Sequence, residues 1–205
     1  MDDALTLPAR IADEAVGSDG GTPGSLQDAK RALSESLAER AARAASADPV
    51  DAAVARLLSQ HCGNVDPFGD EAVSNPAPDG HAWGDLLYDA AAAAVARGRL
   101  DEAIALLAGL MPLAGRRLDA LLGLSVCAAR LGCYEDALIL ALASRGSGPG
   151  HPRASCVAGL CELERGNRRA AQAYLAVAAR LARGRPDCRD DLRQAQRTLL
   201  LMHIA

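Results

Sequence analysis

Three stretches of this chain repeat one another without gaps: Ala96-Arg97-Gly98-Arg99-Leu100-Asp101-Glu102-Ala103, then Arg130-Leu131-Gly132-Cys133-Tyr134-Glu135-Asp136-Ala137, then Glu164-Arg165-Gly166-Asn167-Arg168-Arg169-Ala170-Ala171. Their glycines are 34 residues apart, and Ala103, Ala137 and Ala171 keep the same interval. A third small position, Ala91, Ser125 and Gly159, recurs in the same register, as do Cys127 and Cys161. Each has a mechanical reason. A glycine between two helices adopts the left-handed conformation that ends the first. Small residues on each helix then let the pair approach closely.

Composition agrees with helices. The chain of 205 residues holds 45 alanines and 30 leucines, yet only 2% of it is aromatic. Alanine and leucine lose least side-chain freedom in a helix, and little β-branched or aromatic strand material remains, which disfavours all-β and doubly wound folds. The expectation is an all-α protein. A 34-residue helix-turn-helix period is the signature of the tetratricopeptide (TPR) solenoid, here with three repeats over residues 84–183. Gly184-Arg185-Pro186 then restarts a terminal capping helix, residues 184–205, with Cys188, Leu192, Ala195, Leu199 and Met202 on one face. Residues 1–24 are rich in Asp, Gly, Ser and Pro and read as a disordered arm. Residues 25–62 read as an N-terminal helical extension and a candidate dimerisation arm. Its first helix starts at Ser25 with Asp28 as a capping box, and its second is capped by Asp48-Pro49. Residues 63–83, broken by Gly63, Pro67, Gly69, Pro76, Pro78 and Gly80, read as a linker.

Stacked helix pairs curve, and the first helices of the repeats line a concave face suited to a peptide. Counting from Gly84, Leu118 and Pro152 puts Asp85, Tyr88, Ala92 and Val95 there, then Leu122, Val126, Ala129 and Arg130, then Arg153, Cys156, Leu160 and Leu163. Concave and core positions differ by one residue of helical phase, so several of these are equally candidates for inter-helix core. Tyr88, Arg130 and Arg153 are expected to face a ligand, because an amphipathic aromatic and two guanidinium groups have little reason to be in a core.

The stretches Leu122-Gly123-Leu124-Ser125-Val126-Cys127, Leu131-Gly132-Cys133-Tyr134-Glu135-Asp136-Ala137, His151-Pro152-Arg153-Ala154-Ser155 and Cys161-Glu162-Leu163-Glu164-Arg165-Gly166 resemble the class II chaperones of bacterial type III secretion. Leu87-Tyr88 with Gly98 to Ile104 is similar to that family's first repeat. The resemblance implies three repeats and a virulence-associated cytoplasmic chaperone. Such a protein binds a secreted substrate, a translocator or a needle-tip or filament protein, in the concave groove before export, and often dimerises through N-terminal helices. The small residues Ala92, Val95, Ala129 and Cys156, where that family places aromatics, imply a ligand with bulky anchors or a helix. The other reading is a non-catalytic TPR scaffold or assembly adaptor that binds a folded partner.

Chemistry is sparse. No phosphate loop, zinc-binding His-Glu pair, nucleophile elbow or local Cys/His motif is present, so no enzyme, cofactor or metal is expected. Gly146-Ser147-Gly148-Pro149-Gly150 reads as a turn, since no strand precedes it. The histidines, His61, His81, His151 and His203, are scattered and read as surface or cap residues. Cys62, Cys127, Cys133, Cys156, Cys161 and Cys188 form no Cys-x-x-Cys and read as buried thiols. A net charge of −4 with neither sign blocked into a run gives no footprint for nucleic acid or an anionic membrane. The acidic start and the shortness of the uncharged apolar runs point to a soluble cytoplasmic location.

Overall fold

The structure, a computed structural model, describes residues 48–62, 80–111, 115–146 and 150–204, with residues 80–83 described by their backbone alone. The arm of residues 1–24, the helix expected from Ser25 and most of the linker lie outside these, as does the middle of the glycine run near 148. Among the described residues the protein is all-α, with eight α-helices, one short 3-10 turn and no strand: α1 (Pro49–His61), α2 (Gly80–Ala96), α3 (Leu100–Leu110), α4 (Arg117–Arg130), α5 (Tyr134–Ala143), α6 (Pro152–Glu164), α7 (Arg168–Ala182), the 3-10 turn Pro186–Cys188 and α8 (Arg189–Ile204). Among those residues no helix is long and apolar enough to cross a membrane.

The repeated glycines are the points at which the chain reverses. Gly98, Gly132 and Gly166 have φ of 77°, 78° and 82°, in the left-handed region that costs a residue with a Cβ about 1–2 kcal/mol. Around each the backbone hydrogen bonds are the same. Arg99 N–H donates to Ala94 O, Cys133 to Ala128 and Asn167 to Glu162, at 2.9, 2.9 and 2.8 Å. The glycine N–H groups donate to Val95, Ala129 and Leu163. Two bonds of this pattern make a Schellman motif, which satisfies carbonyls that the helix end would leave orphaned. The next helix starts identically each time, from Arg99, Cys133 and Asn167 at φ near −80° and ψ between 63° and 73°. Ala103, Ala137 and Ala171 then donate their N–H groups back to those three residues, closing the first turn. One backbone conformation is used three times.

The chain forms two compact units, divided among the described residues between Ala120 and Leu121, inside α4. In the first, α3 packs on both α1 and α2. Asp48 caps α1 by accepting from Val50 N–H at 2.9 Å, and Pro49 opens the helix. The Cys62 thiol donates to Asp101 O at 3.2 Å, fastening the end of α1 to the start of α3. α2 begins at Gly80, so the last residues read as linker are its first turn; nothing between Gly80 and Gly84 breaks a helix. Arg116 makes ion pairs with Asp85 of α2 and with the buried Asp119.

In the second unit α6 packs on α5, α7 and α8, and α7 packs on α8. Cys156, Leu175, Ala178, Ala179 and Ala195 form a core against which Leu192, Leu199 and Met202 pack, so the apolar face read on the last helix is its inward face. α6 and α7 approach closely at Gly159. A Cβ there would stand 2.7 Å from Leu175 Cγ and 3.2 Å from Ala171 O.

These two kinds of glycine should respond differently to a methyl group. At Gly132 the added Cβ meets nothing, so Gly132→Ala should cost about 1–2 kcal/mol through the backbone alone, and Gly132→Asn less. Gly159→Ala should cost up to about 3 kcal/mol by overpacking against the fully buried Leu175. Denaturant unfolding of the three variants checks the order.

Candidate functional site

The expected groove residues fall into two sets by unit. In the first unit Tyr88 and Val95 are buried, and Ala92 is half-buried. What α2 exposes is one step away in phase: Leu86, which is 54% exposed, then Asp89 and Ala90, with Ala93 half-buried. Leu86 is hidden from sequence reasoning because it precedes the Leu87-Tyr88 pair and nothing in the repeat marks which leucine points inward. In the second unit Leu122, Val126, Ala129 and Cys156 belong to the core, while Arg130 and Leu160 are half-exposed, as is Leu163. The outward apolar residues of the first helices therefore include Leu86, Leu160 and Leu163, with Arg130 beside the α4 turn.

Arg153 corrects a physical expectation. It is only 4% exposed, and its Nε is ion-paired with the Asp191 carboxylate, itself 2% exposed. A guanidinium has a reason to be in this core because an acid reaches it from α8. Asp191 lies on the apolar side of an amphipathic helix, and an acid in that position requires a buried cation. That is the signal the sequence offers.

A polar cluster grows around this pair. His151 caps α6, its Nδ1 accepting from Arg153 N–H at 3.1 Å, and Pro152 follows as the first helical residue. Cys188 Sγ lies 3.8 Å from His151 Nε2 and donates to Asp187 Oδ2 at 3.2 Å. Arg185 holds Asp187 at 2.9 Å. Burial, with the charges of Arg185 and Arg153 next in effect, lowers the His151 pKa to about 4. Burial and the hydrogen bond to Asp187 push the Cys188 thiol up to about 11. Burial likewise lifts Cys156 and Cys161 to about 12 and Cys62 to about 11, with nearby carboxylates adding to each. These thiols stay protonated near neutral pH, so none is poised as a nucleophile.

His151, Cys188 and Asp191 bring one nitrogen, one sulfur and one oxygen within 4.8 Å of one another, the only such trio among the described residues. The hydrogen bonds do not suit a metal. Because Nδ1 is the cap acceptor, neutral His151 carries its proton on Nε2, the nitrogen that faces Cys188. Asp191 is already neutralised by Arg153, and a cation here would meet two guanidinium groups. The cluster is a lock that fastens the start of α8 to the start of α6. No family model, curated protein or solved structure matches the chain.

Breaking the lock on one side should be costly. Arg153→Met or Asp191→Leu alone leaves a buried charge unpaired and should lose about 3–5 kcal/mol, whereas the double substitution should recover much of it; urea denaturation of the four proteins measures this. Acid should weaken it too. Below pH 6.5 the unfolded chain binds a proton that folded His151 refuses until about pH 4, so stability falls as pH falls through that window. Asp191, whose carboxyl burial raises, acts with the opposite sign at the acid end. His151→Asn keeps a cap acceptor without titrating. It should flatten the stability profile between pH 5 and 6.5.

Proposed function

We propose that the three helix pairs are TPR-type repeats, and that the protein is a non-catalytic binding protein of the type III secretion chaperone kind. It holds a secreted partner, a translocator or a needle-tip or filament protein, in the bacterial cytoplasm until export. The observation that carries the repeat reading is the triple recurrence of one left-handed glycine turn at a 34-residue interval. The chaperone assignment adds the resemblance of residues 122–127 and 151–155 to that family. Its principle is mass action: binding an aggregation-prone segment lowers the free concentration of that segment without chemistry or ATP.

In each unit the first helices carry the ligand-facing residues: of those expected, the reachable ones are Ala92 in the first unit, joined by Leu86, and Arg130 and Leu160 in the second, joined by Leu163. Tyr88, Val95, Leu122, Val126, Ala129, Arg153 and Cys156 shape those helices from within. Leucines and alanines with few rings suit a partner that supplies the bulk itself, as an amphipathic helix does.

Co-expression with the secreted proteins of the native host tests this. One of them should gain soluble yield and a protease-shielded segment, and Leu86→Arg or, separately, Leu160→Arg should reduce its co-purification about tenfold or more while leaving helical circular dichroism intact. A partner bound with no change in its solubility or protection would favour a scaffold instead.

A further inference from the structure

The end of this sequence is rich in arginine and poor in acids. From Arg165 onward there are nine arginines against three aspartates, and every one of those arginines is exposed. α7 contains no acidic residue. Three of the arginines are ion-paired, Arg165 with Glu162, Arg185 with Asp187 and the exposed Arg193 with Asp190, a pair that a docked carboxylate would replace, while Asp191 is taken by the buried Arg153. The surface of the last two helices is therefore basic, although the whole protein carries −4.

On α8 this charge is ordered. Arg189, Arg193 and Arg197 are four residues apart and stand in one row along the helix. At 100° per residue the same row continues into Leu200 and Ile204, which are 62% and 75% exposed, with Leu201 beside them. The opposite face, Leu192, Ala195, Leu199 and Met202, is the one packed on the core. α8 thus has an inward apolar face and, separately, an outward row that begins basic and ends apolar.

We propose that the row from Arg189 through Arg193 and Arg197 to Leu200 and Ile204 docks an acidic polypeptide segment whose carboxylates are followed by apolar anchors. It is a second surface, distinct from the first helices of the pairs, and does not rest on the chaperone reading. Three ligand chemistries could answer a basic helix, and the row discriminates among them. A nucleic acid repeats phosphate without apolar groups and would leave Leu200 and Ile204 in water. A lipid surface takes an amphipathic helix by a free apolar face along its length, and that face of α8 is buried. A partner helix with glutamates four apart followed by leucines matches both spacing and order. Exposed ion pairs contribute little individually, so the arginines set register and encounter while the apolar end holds.

The test uses the full-length protein and a labelled synthetic helical peptide with three glutamates spaced four apart followed by two leucines spaced four apart. Its companions are a peptide of the same composition in scrambled order, phosphatidylserine-containing vesicles and a duplex DNA oligomer. The ordered peptide should bind about tenfold or more tighter than the scrambled one and weaken with salt. Arg193→Glu with Arg197→Glu, and separately Leu200→Ser with Ile204→Ser, should each reduce binding about tenfold; all four side chains are exposed, and circular dichroism confirms the fold. Equal binding of the scrambled peptide, binding of vesicles or DNA in preference to the ordered peptide, or unchanged affinity in either variant would overturn the proposal.

Discussion

The left-handed turn at Gly98, Gly132 and Gly166 is the constraint on which the rest of the structure depends. A helix that ends must do something with its last carbonyls, and a glycine with φ near +80° lets its own N–H and the next one fold back onto them. The next helix then leaves at a fixed angle, because the entering residue has nearly the same φ and ψ in all three copies. Close packing follows from that geometry. Once the pair is turned back on itself, only small residues fit where the helices meet, as the contact of Gly159 with Leu175 and Ala171 makes plain.

In the second unit the last helix is held by polar chemistry as well as apolar packing. α8 lays Leu192, Ala195, Leu199 and Met202 on α6 and α7, but its start is held by Asp191 on Arg153 and by the cluster of His151, Cys188 and Asp187. Buried ion pairs seldom add net stability over an apolar pair of the same shape. What this one supplies is position. An acid that must meet a single buried guanidinium fixes the register of the last helix, and through it the outward row of arginines and leucines.

Much of this architecture is legible in the amino-acid sequence. The period, the glycine turns, the cap at Asp48, the restart after Gly184 and the inward face of the last helix all follow from local residue chemistry, and local chemistry is written in local sequence. Helical phase is not. Whether Tyr88 or Leu86 faces outward depends on which neighbour a helix packs against, and a run such as Ala90 to Ala94 gives no periodic contrast to decide it. The Arg153 and Asp191 pair is hidden for a different reason. Its members lie 38 residues apart and meet only through the packing of α6 and α8. The basic surface is different: its excess of arginine is visible in the sequence from Arg165 onward, and what the fold adds is that the row on α8 faces outward.

Helices joined in this way are only as well placed as the reversals that hold them, so the fold needs rigid turns. Native-state hydrogen exchange of the Arg99, Cys133 and Asn167 amides measures this directly, because each donates the long-reach bond of its turn. The expected result is that all three amides exchange as slowly as the interior amides of the helices they join, so that each turn opens only with its helix pair. Exchange of these amides at the rate of an unstructured loop, while the helices remain protected, would contradict the view that a repeated glycine turn organises the fold.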